Sequence, residues 1–127
     1  MILDNKLNNL LDIDQLTKND ILYIFEFAEK LSSILNGTVK KVPVLRGKTI
    51  INYFSEPSTR TRLSFDSAWH RLGGDSINIT DKSSTGIAKG ETHLDIAHMF
   101  NNYGDCVVLR ESDNDAIFEM TKSLRIP

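Results

Sequence analysis

The spacing of hydrophobic residues changes several times along the chain, and each change marks an element. From Lys18 to Leu35, Ile21, Ile24, Phe25, Ala28, Leu31 and Leu35 recur at three- and four-residue steps, which lays an apolar stripe along one helical face. Thr17 with Asp20 forms a capping arrangement, and Gly37 suits the C-terminal stop. Asn36 to Leu45 reads as a connector. Thr49 to Phe54 is a β-branched and aromatic run that predicts a buried strand, broken by Ser55, Glu56 and Pro57. Helical spacing returns from Ser58 to Leu72, with Leu63, Phe65, Ala68, Trp69 and Leu72 as its apolar positions and Gly73-Gly74 as its stop. Ser76 to Thr80 predicts a second strand. Glu91 to Tyr103 predicts a helix with Leu94, Ala97, His98 and Phe100 in or near its stripe. Cys106 to Leu109 then predicts a third strand and Asp115 to Leu124 a last helix.

This alternation of strand and helix predicts an α/β fold, a three-layer Rossmann-like parallel sheet with helices on both faces. Parallel strands are covered on both sides, so their apolar runs need not alternate. Ser123 to Pro127 leaves a helix and enters what reads as a fourth strand. The reading is therefore of a domain truncated at that strand.

Composition narrows the function. The 127 residues suit one domain, and 40% hydrophobic with 25% charged residues is a globular balance. Fifteen Lys and Arg against seventeen Asp and Glu give a formal charge of -2, which argues against a nucleic-acid partner. Any anion site must be a local cluster. The single cysteine, Cys106, excludes an intrachain disulfide and a metal site of several thiolates, and its apolar surroundings suggest a buried, inert thiol. Met1 to Leu11 lacks the pattern of a signal peptide, and Ile21 to Phe25 is far too short to span a bilayer. A cytoplasmic protein with no membrane partner is expected. His70, His93 and His98 have no metal-ligand spacing and read as helix-face histidines; no metal or other cofactor is expected.

The segment Ser55-Glu56-Pro57-Ser58-Thr59-Arg60-Thr61-Arg62 stands where a strand hands over to a helix. A helix N-terminus offers unpaired N–H groups and a partial positive charge. Ser58, Thr59 and Thr61 add hydroxyl donors, and Arg60 adds a planar fork matched to phosphate. Ligands of open parallel sheets bind beyond the carboxyl ends of the strands. The plainer alternative is that Ser58 merely caps a helix whose first turn happens to be cationic. Basic residues there oppose the helix dipole by about 0.3–1 kcal/mol each, which favours an anion site.

Phe54 to Phe65, Phe-Ser-Glu-Pro-Ser-Thr-Arg-Thr-Arg-Leu-Ser-Phe, resembles the signature of the carbamoyltransferases, whose Ser-Thr-Arg-Thr-Arg core grips the phosphate of carbamoyl phosphate. Glu56 and His70-Arg71-Leu72-Gly73-Gly74 resemble the aspartate-utilising branch; the ornithine branch usually has lysine in place of that glutamate. The resemblance continues through Lys89-Gly90-Glu91-Thr92 and Asp105 to Arg110, and covers essentially the whole chain. It implies that residues 1–127 are an incomplete carbamoyl-phosphate-binding N-terminal domain, with the aspartate-binding domain absent.

The roles follow from that resemblance residue by residue. Arg60 would contact the phosphate and stabilise its growing charge. Ser58 and Thr59 would hold phosphate oxygens, Thr61 would bond the carbamoyl carbonyl, and Arg110 would complete the grip. On its residues alone, Arg110 is an exposed strand-end arginine. Arg62 reads as structural support, with Glu56 or Glu91 as its candidate ion-pair partner. The polar loop Ser83 to Glu91 would by composition be a flexible linker. By resemblance it reaches into a neighbouring subunit of a homotrimer, where Lys89 contacts phosphate and aspartate. Thr85 stands where the family often has serine, Ile96 where it has threonine, and Glu111 where it commonly has histidine. Glu111, Asp113 and Asp115 read as a solvated loop and helix start, and Trp69 as a core or interface anchor.

The implied activity is carbamoyl transfer from carbamoyl phosphate to L-aspartate, in pyrimidine biosynthesis. It is amine attack with phosphate leaving, which asks for positioning and charge stabilisation. Two alternatives stand beside it: an ornithine carbamoyltransferase fragment, and a non-catalytic anion-binding or oligomerisation module. Alone, the chain is expected to be inactive or crippled.

Overall fold

The computed structural model describes residues 8–81, 83 and 85–127. Ser84 of the polar loop and the first seven residues of the Met1–Leu11 segment lie outside them. The chain divides into two compact units, Met1–Val42 and Pro43–Pro127. In the first, a 3-10 turn at Ile13–Gln15 precedes helix α1, Lys18–Asn36. The predicted cap is present: Thr17 donates to the Asp20 carboxylate through its amide (3.0 Å) and hydroxyl (2.6 Å), and the Asp20 amide donates back to the hydroxyl. Of the predicted stripe, Ile21, Leu31 and Leu35 are half-buried, while Phe25 is exposed.

The second unit holds strands β1 (Thr49–Phe54), β2 (Asp75–Ile79) and β3 (Cys106–Arg110), with helices α2 (Thr59–Arg71), α3 (His93–Tyr103) and α4 (Asn114–Ser123). All strands are parallel, in the order β2-β1-β3. The alternating pattern predicts each element; the largest shift is in α3, which starts at His93 rather than Glu91. Thr92 is its cap, accepting from the Asp95 amide, so Glu91 falls outside the helix.

β1 is the central strand and its two faces meet different chemistry. Ile51 and Tyr53 point one way, into a core with Ile96, Ala97 and Phe100 of α3 and Met120 of α4. The Tyr53 and Phe100 rings meet at 5.7 Å and 57°. Asn52 points the other way and donates to Asn78 on β2 at 3.1 Å; Asn78 donates in turn to Asp66 of α2 at 3.1 Å. Helices therefore cover both faces, as the fold class requires.

Two packing expectations need correction. Ile96 is fully buried in α3, whereas Leu94 is 40% exposed and His98 also faces outward. In α2, Leu63 and Phe65 are exposed and no residue is fully buried, because a polar track rather than an apolar stripe faces the sheet. Trp69 is half-buried, and its indole N–H donates to the Lys48 carbonyl at 3.1 Å. Gly74 makes room for that indole, since a Cβ there would strike both the ring and the Lys48 carbonyl.

Cys106 is half-buried, and burial, with the nearby Asp105 charge, pushes its thiol up, which fits an unreactive side chain. Beyond α4, the Pro127 carbonyl accepts from the Val107 amide at 2.8 Å, so the chain runs alongside β3 where a fourth strand would pair. Among the described residues no helix is long and apolar enough to cross a membrane.

Truncating the central aromatic, Phe100→Ala, should cost about 3–5 kcal/mol in urea unfolding. A pH effect should come from Asp66. Hydrogen bonds from Ser76 and then Asn78, with smaller help from His70 and Arg62, hold its carboxyl below the ordinary range. Its stabilisation is complete above the unfolded value near pH ~4 and is lost as pH falls through the lower folded value. Urea midpoints across that acid window should therefore fall less steeply in Asp66→Asn than in the parent.

Candidate functional site

The strand order creates the site. β1 connects through α2 to β2 on one side, and the chain then crosses through α3 to β3 on the other. The carboxyl ends of β1 and β3 thus flank the point where the winding reverses, the usual ligand crevice of open α/β sheets.

The backbone pins those two ends together. Phe54 pairs in register with Arg110. One residue on, Ser55 donates to the Arg110 carbonyl twice, from its amide at 3.0 Å and its hydroxyl at 3.2 Å. The Arg110 guanidinium then reaches across to α2, where Nη1 donates to the Ser58 hydroxyl at 3.0 Å and Nη2 lies 4.0 Å from the Glu56 carboxylate. A cleft of about 190 Å³ opens beside this contact, lined by Phe54, by Glu56 through Thr59, by Arg62 and by Thr80.

Local electrostatics favour an anion here. α1 and α3 start with a full capping box, and Asp113 caps α4. Ser58 makes no such bond to α2, its hydroxyl being engaged by Arg110 instead. The first turn of α2 contains no acid and carries Arg60 and Arg62. Its amides and partial positive charge are thus uncompensated by a cap.

Of the predicted site residues, Ser58 and Arg110 touch, and Thr59 lines the cleft. Arg60 and Thr61 are exposed in the same helical turn, outside the cleft lining. The Arg60 side chain makes no hydrogen bond or ion pair among the described residues. Arg62 lines the cleft and pairs with neither Glu56 nor Glu91. Glu56 faces Arg110, and the Glu91 carboxylate folds over Gly86, where any Cβ would collide with it. Lys89 ends a short 3-10 turn, Gly86–Lys89, and is exposed; Thr85 just before that turn is 9% exposed.

One expectation is overturned. Glu111 is not solvated: its side chain is fully buried. Its Oε1 accepts from the Ser112 amide (2.9 Å), the Ser112 hydroxyl (3.1 Å) and the Asp113 amide (3.4 Å). Its Oε2 accepts from the Tyr53 hydroxyl at 3.4 Å and faces His93 Nε2 at 4.0 Å. Burial, and then the Glu111 charge, push the Tyr53 hydroxyl up to about 12, so it stays a donor. Asp113 and Asp115 do mark a helix start, as expected. Sequence reasoning missed this trio because its members come from three distant elements. The signal within reach was an acid where the resembling family carries histidine.

A family model described as aspartate/ornithine carbamoyltransferase, carbamoyl-P binding domain, matches residues 8–127. The aspartate carbamoyltransferase catalytic subunit of Halothermothrix orenii is 48% identical over 108 residues, 84% of this chain and 34% of the relative. That of Archaeoglobus fulgidus is 44% identical over 104 residues, 82% of this chain and 34% of the relative. Among solved structures, the catalytic subunit of M. jannaschii aspartate transcarbamoylase superposes with a TM-score of 0.87 at 38% identity, covering 95% of this chain and 40% of that one. The Trypanosoma cruzi aspartate transcarbamoylase in complex with carbamoyl aspartate and phosphate gives 0.88 at 28% identity, covering 94% and 38%. The chain spans between 34% and 40% of the length of these relatives.

Proposed function

The chain belongs to the aspartate/ornithine carbamoyltransferase family, through its carbamoyl-phosphate-binding domain, and from that premise we propose that it supplies the phosphate-gripping half of an aspartate carbamoyltransferase. The observation that carries the reading is the Arg110–Ser58 contact across the strand-end crevice, made at the one α-helix start among the described residues with no side-chain cap. Similarity to aspartate enzymes, together with Glu56 at the position where the ornithine branch usually has lysine, favours aspartate as the acceptor.

The chemistry is one displacement. The aspartate amino group attacks the carbamoyl carbon, a C–N bond forms, and the C–O bond to phosphate breaks with its electron pair leaving on phosphate. The nitrogen's surplus proton leaves with that phosphate. Ser58, Thr59 and the first amides of α2 hold phosphate oxygens. Arg60, unpaired on the first turn, meets the charge that grows on the leaving group. Thr61 bonds the carbamoyl carbonyl, and Arg110 spans the two strand ends. Lys89 acts from the exposed loop of a neighbouring subunit in a homotrimer, binding phosphate and aspartate. Thr85 is assigned to the same loop; since its side chain is buried here, its part in a neighbour's site requires that segment to turn outward. The proposed setting is the cytoplasm, in pyrimidine synthesis.

In the complete enzyme carrying this chain, Arg60→Ala should lower kcat by about 10²–10³ while leaving the thermal melt within a few degrees of the parent. Parent-like turnover in that variant would reject the assignment. Sharing between subunits has its own test. Arg60→Ala and Lys89→Ala enzymes, each nearly inactive, should recover activity when mixed and allowed to exchange subunits, because a hybrid trimer contains a site with neither defect. Hybrids that form without gaining activity would confine Lys89 to its own subunit or remove it from the site.

A further inference from the structure

Glu111 follows Arg110 directly, and the two side chains go opposite ways: Arg110 outward to Ser58, Glu111 into the protein. A buried carboxylate is costly unless donors surround it. Among the described residues, polar groups approach it from three directions. Ser112 and Asp113 supply them from the start of the next loop, Tyr53 from near the C-terminal end of β1, and His93 approaches from the first turn of α3. The Arg110–Glu111 peptide is thereby held on both sides, since Ser55 grips the Arg110 carbonyl. Rotation of that peptide would move the guanidinium off Ser58.

The His93 contact is incomplete. Nε2 is buried, makes no hydrogen bond among the described residues, and lies 4.0 Å from Glu111 Oε2, beyond hydrogen-bonding reach. A buried ring nitrogen without a partner carries a desolvation penalty, and with its proton on Nε2 a short movement toward Glu111 would remove it. His93 also stands just beyond Lys89, Gly90, Glu91 and Thr92, so it is the first helical residue after the loop.

We propose that Glu111 and His93 are a buried positioning pair for the phosphate site, closing to a direct hydrogen bond when an anion docks on Ser58 and Arg110, and tying the Lys89 loop to the Arg110 strand end. The inference rests on the reading of this crevice as the phosphate site. Neither residue touches the ligand; both act through Arg110 and the loop.

The test is a double-mutant cycle in the complete enzyme, read as the Kd for inorganic phosphate beside the thermal melt. Glu111→Gln and His93→Gln should each weaken phosphate by roughly tenfold, and the double variant by little more than one of them, because contacting residues are coupled. The exchanged pair, Glu111→His with His93→Glu, should recover most of the affinity. Tyr53→Phe, which removes another donor from the same oxygen, serves as a folding control and should alter the melt more than the affinity. Additive losses, no rescue by the exchange, or melts that fall while phosphate affinity holds would overturn the pair. Coupled phosphate binding in a parent that transfers no carbamoyl group would sink the proposed function alone. Carbamoyl transfer with uncoupled variants would sink this inference alone.

Discussion

Two hydrogen bonds onto one carbonyl, from the Ser55 amide and hydroxyl to Arg110, define the place where everything else in the site is assembled. The partners are 55 positions apart in sequence, so the site exists only once β1 and β3 are paired. Register is the critical quantity, because side chains alternate along a strand and a slip of one residue exchanges its faces. A slip at this end would present Glu111 to the crevice and bury Arg110. The cationic side of the crevice would become anionic, with a guanidinium buried inside. The pairing of Phe54 with Arg110 decides which of two adjacent, oppositely charged residues faces the crevice.

The two faces of β1 divide the labour of holding that register. Ile51 and Tyr53 bury against α3 and α4, an apolar contact that supplies stability without much directional preference. Asn52, also fully buried, works differently. It reaches Asn78, which reaches Asp66, so α2 is fixed over the sheet by directed bonds rather than by a greasy stripe. The Asn52 Oδ1 atom is left buried with no hydrogen bond, a cost that a Leu at the same place would avoid. Such a track positions more than it stabilises. That suits a helix whose first turn must face Arg110 and whose apolar residues stay largely outside the core.

Much of this was legible in the residues because the strong signals are local. Strands appear as β-branched runs, helix starts as hydroxyl–carboxylate spacings, and the Ser-Thr-Arg-Thr-Arg core as donors at one strand-to-helix handover. Misreadings occurred where burial depends on distant partners. Leu63 and Phe65 are among the apolar positions that predict α2, yet the sheet meets α2 through Asp66 instead. Glu111 resembles a solvated loop acid until Tyr53 and His93 are brought beside it. Spacing along a helix identifies one face; it cannot say what that face will meet.

The start of α2 shows why the same residues look unfavourable and purposeful at once. A missing N-cap typically costs a helix about 0.5–2 kcal/mol. Two arginines in the first turn add an opposing term of about 0.3–1 kcal/mol each at most, reduced by solvent. The other three helices of the described chain avoid the first of these costs with Thr17, Thr92 and Asp113. Ser58 could cap as well as any of them, but its hydroxyl is held by Arg110. Among the described residues, no acid in the first turn of α2 offsets these terms. A bound dianion would reverse both, accepting from the uncapped amides and neutralising the arginines. The groups that weaken the helix on its own are therefore the groups that would make it firmest with a dianion in place, so binding energy and local order would rise together at this turn.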